Sequence, residues 1–253
     1  MDPINTTKLI PTEVLKEAYK DALSPAFKQL GEFGEDVIKT VRLVLFPTQY
    51  TATLQDRLAK HLKKSIEQVP QDNRIPPIES LALPIVEQLK YHDDTSLAGQ
   101  MFVNLLSRAM DKERISEAHP AFVQIIGQLA PDEAVLIRQI GAHKNRPAAY
   151  LRPLQKGSNV FLESQRVNLI SQSELAHAAA EILLAVAVQP EEMAQPDLLY
   201  TYIEHLVSLG LVAYTNQPWE REFRNGKPAS FDFWFIELTG IGRLFCKACL
   251  PSI

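Results

Sequence analysis

Residues 89–133 read LKYHDDTSLAGQMFVNLLSRAMDKERISEAHPAFVQIIGQLAPDE, and their apolar spacing decides the fold class. Leu97, Met101, Leu105 and Ala109 recur at four-residue steps, with Phe102 and Leu106 one position on, which predicts a helix with a broad apolar face. Phe122, Ile125, Ile126 and Leu129 predict the next helix. Pro131 followed by Asp132 and Glu133 suits the first turn of a third, because proline gives up no helical hydrogen bond there and carboxylates meet the positive end of the helix dipole.

Toward the C-terminus, KNRPAAYLRPLQKGSNVFLESQRV (144–167) holds two prolines, a glycine and no sustained period, so a connecting segment is expected over 144–170. Ser171 with Glu174 predicts a capping box that opens a helix carrying Leu175, Ala179, Ile182, Leu183 and Val186. Pro196 to Leu209 predicts another, ended by Gly210. LVAYT then reads as a strand, and SFDFWFI as its partner, with Phe231, Phe233 and Phe235 alternating onto one face and Asn225-Gly226 in the loop between. Thr239 can cap a last helix, GIGRLFCKAC. The order helix, helix, hairpin resembles winged-helix domains, in which the hairpin is the wing.

Toward the N-terminus, Val14, Leu15, Ala18, Ala22, Val37, Ile38, Val41 and Leu45 recur with helical spacing over 12–46, interrupted by Pro25, Gly31 and Gly34. Leu54, Leu58, Leu62 and Ile66 form one stripe of a further helix whose other faces carry Arg57, Lys60, His61, Lys63 and Lys64. Residues 68–79, with Pro70, Pro76 and Pro77, read as an extended linker or surface loop. The expected architecture is mainly α: a helical domain over 1–143, a connection over 144–170, and a small winged-helix-like α/β domain over 171–253.

With 253 residues, 46% of them hydrophobic, the chain can bury a substantial core. A formal net charge of −4 removes any global electrostatic pull toward nucleic acid or an anionic membrane, so such binding would need a local patch. The opening residues lack a basic segment followed by an apolar core, so no secretory signal is expected. The apolar run from Val41 to Phe46 is far short of the roughly 20 residues that span a bilayer. Two cysteines make no disulfide framework, which suits a reducing cytoplasm.

Candidate chemistry is sparse. Cys246 and Cys249 have the C-x-x-C spacing of redox and zinc sites, yet Cys246 falls well inside a predicted helix and no second cysteine pair exists, so inert thiols are expected. His92, Asp93 and Asp94 could suggest a metal, but a carboxylate capping the helix from Ser96 accounts for them. Asp111, Glu113 and Glu117 near His119 could be an acid/base or metal cluster, though no metal-binding spacing supports it. Phosphate-loop, dinucleotide and nucleophile-elbow motifs do not occur. No catalytic residue, metal or cofactor is therefore expected.

Charge weighs on the usual use of a winged helix. From Val167 to Glu220 there are seven acids (Glu174, Glu181, Glu191, Glu192, Asp197, Glu204, Glu220) and no lysine or arginine, whereas a recognition helix normally brings cations to phosphates. Cations cluster instead at Arg138, Lys144, Arg146, Arg152, Lys156 and Arg166, and in the wing at Arg221, Arg224 and Lys227. These could face an anion or nucleic acid, or be solvated loops. The basic helix over 55–69 could lie on a membrane, but its stripe lacks aromatic anchors and suits a core-facing helix.

Residues 89–133 resemble the signature region of the bacterial abortive infection alpha family. The resemblance rests on Tyr91, Asp93, Asp94, Leu97, Phe102, Asn104-Leu105-Leu106 and Ala109-Met110-Asp111, then on AHPAF, Ile125, Ile126, Leu129 and PDE. Tyr19, Asp21, Pro25, Lys28, Gly31 and Pro76-Pro77 also fit, so it extends over about 15–245. It implies a part in defence against phage and assigns no catalytic residue. Asn104, Asp111 and His119 are the polar exceptions among core-type motif residues, and Asp111 and His119 are expected to meet across the connection between two helices. The expected protein is a cytoplasmic, non-enzymatic sensing or protein-interaction module with a protein partner or self-association. Nucleic-acid binding through 138–166 and the wing, or a membrane-acting effector, are the alternatives.

Overall fold

The computed structural model describes residues 52–93, 95–143, 147–153, 186–215 and 231–251. The chain divides into two compact units, Met1–Val123 and Gln124–Ile253. In the first, α1 (Ala52–Glu67), α2 (Glu79–Leu89) and α3 (Leu97–Ala109) pack together, with α3 against both others. Every residue from Met101 to Met110 is buried, so α3 is the central helix. Its start is set by Ser96, whose Oγ accepts from the Gly99 amide at 3.1 Å. Leu58, Leu62 and Ile66 of α1 are at most 1% exposed, each contributing about 1.5–3 kcal/mol of burial. The expected stripe is the face that α1 buries.

The 68–79 segment is more than a loop. A 3-10 turn spans Gln71–Asn73, and Arg74 and Asp111 then form a β-bridge, with the Ile75 amide donating to Met110 O and the Lys112 amide to Asn73 O, both 2.9 Å. These prolines keep the backbone extended, which lets it pair. A second 3-10 turn, Ile115–Glu117, leads to α4 (Ala121–Gln128), so α3 and α4 end and begin close to where the sequence predicts.

The second unit contains α5 (Pro131–Ala142), β1 (Ala148–Pro153), 3-10 turns at Pro190–Glu192 and Pro196–Leu198, α6 (Leu199–Ser208), β2 (Val212–Thr215), β3 (Phe231–Leu238) and α7 (Gly240–Cys249). Its three strands form an antiparallel sheet in the order β1-β3-β2, with Tyr150 opposite Trp234 and Tyr214 opposite Ile236. Strand β1 lies inside the stretch expected as a connection. It is six residues long, pairs with β3 on one side and is bridged at Ala149 to Ala187 on the other, and ends in Pro153, so its shortness and its proline hide it from periodicity.

Helix α6 packs on α5 and β2, and α7 on α5 and β3. Gly210 ends α6 with φ +71°, and the Leu211 amide reaches back to Leu206 O, as a left-handed C-terminal glycine allows. Thr239 caps α7 as predicted, its Oγ1 accepting from the Gly242 amide at 2.9 Å. The helices predicted over 12–46, the Ser171–Glu174 capping box with most of its helix, and Asn225-Gly226 lie outside the described residues. The described residues are mainly helical, and none of their helices is long and apolar enough to cross a membrane.

Candidate functional site

Helix α3 ends in a turn rich in charge. The buried guanidinium of Arg108 lies with Nε 3.3 Å from Glu117 Oε2, and Arg114 donates to the same oxygen from Nε and one terminal nitrogen at 3.1 and 3.0 Å. Glu117 thus answers two arginines, so it is an internal counter-ion rather than an open acid/base group. Asn104 is buried one turn earlier in α3, on the same helix as Arg108. Glu113 is exposed.

Asp111 and His119 do not bond to each other as expected; each organises its own turn. Asp111 is buried and accepts the Glu113 amide at 3.0 Å. His119 is exposed, accepts the Ala121 amide through Nδ1 at 3.2 Å and lies 5.6 Å from the Phe122 ring. Both residues are short-range caps, because a donor two residues on is nearer than any partner across the connection.

A second polar cluster, at the start of α5, escaped the sequence reading. Asp132 accepts from the Ala194 amide at 2.9 Å, the Gln195 amide at 2.8 Å and the Tyr202 hydroxyl at 3.2 Å. Glu133 accepts from the Ala130 amide at 2.8 Å and pairs with His205 Nδ1 at 2.7 Å. Both carboxylates are buried, and through them α6 and the 193–195 turn are held to α5. Burial first, then the Asp132 carboxylate, hold the Tyr202 phenol above its ordinary pKa. The sequence shows these acids at a helix start but carries no sign of partners about seventy positions away.

The remaining candidates separate. Arg138 is exposed and has a terminal nitrogen 3.5 Å from Glu192, so an acid already faces this cation. Arg152 lies in β1, whose side chains beyond Tyr150 are not described; Lys144, Arg146, Lys156, Arg166, Arg221, Arg224 and Lys227 lie outside the described residues. Asp93 does not cap the helix as expected, since Ser96 does; its carboxylate instead organises the turn before α3, where Thr95, through hydroxyl and amide, and the Ser96 amide donate to it and lower its pKa. Asp94 is not described.

Cys249 is buried and burial pushes the Cys246 thiol up to about 12, so Cys246 is predominantly a protonated thiol at neutral pH. Among the described residues no group of three or more histidine, cysteine or acidic side chains is arranged to hold a metal.

The arrangement therefore offers a buried carboxylate shared by two arginines after α3, and at the start of α5 two buried carboxylates engaged by amides, a phenol and a histidine. Neither a curated protein nor a solved structure matches the chain. The family model described as abortive infection alpha matches residues 50–249, beginning just before α1 and ending with α7; the resemblance expected at Tyr19 to Gly31 lies before the match and is not covered by it. The chain belongs to the abortive infection alpha family.

Proposed function

We propose that this protein acts in the cytoplasm in defence against phage, as a non-enzymatic sensing or protein-interaction module whose second unit is a winged helix used to bind protein. The order α5, β1, α6, β2, β3 and the strand order β1-β3-β2 support the winged-helix reading. Helix α6 then occupies the place of a recognition helix, directly before the strand pair. The observation that carries the proposal is the sign of its charge. Asp197, Thr201, Glu204 and Ser208 are exposed along one ridge while Leu199, Tyr202, Ile203 and Leu206 are buried, and no lysine or arginine occurs over 186–215. Such a face repels phosphate backbones and suits a protein surface.

The test is a phage challenge of cells carrying the gene, an empty control, or the Asp197→Lys, Glu204→Lys double variant. The wild type protects, and the variant, folded by circular dichroism, loses protection. No protection by the wild type removes the defence role. Full protection by the variant removes α6 as the interface.

A further inference from the structure

We infer that the basic outer face of α1 is the docking site for the acidic face of α6 on a second copy of this chain, so that copies associate head to tail. The inference rests on the reading of α6 as a protein-binding helix and names its partner. Helix α1 buries its apolar stripe and turns its cations outward: Lys60 and Lys64 are exposed, and Arg57 and Lys63 are partly exposed. Arg57, Lys60 and Lys64 follow one another at steps of three and four positions, along one ridge.

Much of this charge is left for a partner. Lys63 is matched within the helix by Glu67 at 3.8 Å. Arg57, whose charge reaches Asp93, and Lys64 form no ion pair among the described residues. Just past the helix, Arg74 donates from Nε to Val69 O at 3.1 Å and Lys112 from Nζ to Asp72 O at 2.7 Å. A backbone carbonyl orients a cation without cancelling its charge. From Asp56 to Arg74, leaving the buried His61 aside, five bases stand against three acids. Over 186–215 the sign is reversed: Glu191, Glu192, Asp197 and Glu204 are exposed and no lysine or arginine occurs.

The two ridges also match in spacing. Arg57 and Lys64 are seven positions apart, as are Glu204 and Asp197 in the turn before α6, which is two helical turns or about 10 Å. Laid antiparallel, Arg57 meets Glu204, Lys60 meets Thr201 and Lys64 meets Asp197. Leu198, an apolar side chain 39% exposed, then comes beside the aliphatic stem of Lys63. The two surfaces differ, so the contact is heterologous: every copy offers one of each, and assembly continues unless it closes into a ring.

Sedimentation velocity of the full chain tests this. The wild type forms species larger than a monomer at 0.1 M salt, and association weakens on the order of tenfold toward 1 M, as the screening length falls from about 10 to 3 Å. Arg57→Glu with Lys64→Glu, and separately Asp197→Lys with Glu204→Lys, each give a monomer; Lys60→Glu with Lys64→Glu serves if the first pair does not fold. Mixing the two monomeric variants restores association, and so does one chain carrying all four reversals. A monomeric wild type overturns the inference, as does an α1 variant that assembles like the wild type or a fourfold variant that stays monomeric. So does a monomeric wild type that binds vesicles of anionic phospholipid through Arg57 and Lys64, which would give the α1 face to a membrane. Phage challenge separates this from the α6 reading. Protection lost on reversing α6 and regained with all four reversals supports the second copy as partner. Protection lost on reversing α6 and still absent with all four leaves the α6 interface standing and overturns the second copy.

Discussion

At Glu117 one buried carboxylate faces two guanidinium groups of unequal exposure, and that inequality predicts which substitution hurts. The Arg108 side chain is 8% exposed and that of Arg114 is 35% exposed. Glu117→Gln takes from buried Arg108 the carboxylate that faces its Nε, which costs about 3–5 kcal/mol. Arg114→Ala removes a partly solvated pair member and costs about 1 kcal/mol or less, because water screens what the pair contributes. Urea unfolding of both variants checks the order. Equal losses would mean that Arg108 is satisfied by groups other than Glu117. The same cluster, which looks reactive in sequence, is bound up internally at three of its members: Glu117 faces two arginines, and Asp111 and His119 accept backbone amides.

At the scale of elements, α7 depends on a close backbone approach. A Cβ at Gly242 would fall 1.9 Å from the Leu211 carbonyl oxygen, next to the amide that Thr239 caps. Backbone meets backbone there, so Gly242→Ala has to displace α7 from the end of β2 and costs about 3 kcal/mol or prevents folding of the unit. Gly127 in α4 is exposed with nothing within 4 Å of an added Cβ, so Gly127→Ala gains about 0.5–1 kcal/mol from helix propensity. Thermal unfolding of the two variants should move in opposite directions. These helices were legible because their signals are local: the four-residue apolar steps of α3, Pro131 at the start of α5, Gly210 after α6 and Thr239 before α7. What was missed depends on distant chain. Strand β1 shows only five residues between Pro147 and Pro153, and its partner β3 lies about eighty positions on. The pairing of Arg74 with Asp111, and the grip of Asp132 and Glu133 on Tyr202 and His205, are likewise long-range bonds that no spacing rule reveals. A local view of Asp132 and Glu133 finds the helix dipole and stops there.

At the scale of the whole molecule, the distribution of charge sets what a nucleic-acid partner would have to overcome. The chain carries a formal charge of −4, so a nucleic-acid complex would have to form against the average field and rely on local cations. Those available are Arg138, Lys144, Arg146, Arg152, Lys156, Arg221, Arg224 and Lys227. Of these, the one whose side chain is described, Arg138, stands 3.5 Å from Glu192, and the exposed Glu204 of α6, with Asp197 in the turn before it, adds negative charge. Phosphate contacts release condensed counterions, so a site with six of them loses on the order of a thousandfold in affinity between 50 and 200 mM salt. Electrophoretic shift or anisotropy with duplex DNA and with RNA, across that salt range, should therefore show at most weak binding that vanishes at physiological ionic strength. Micromolar or tighter binding that persists there, and that charge reversal at Arg146 and Arg152 abolishes, would instead place nucleic acid on the basic segment and leave α6 as a packing helix.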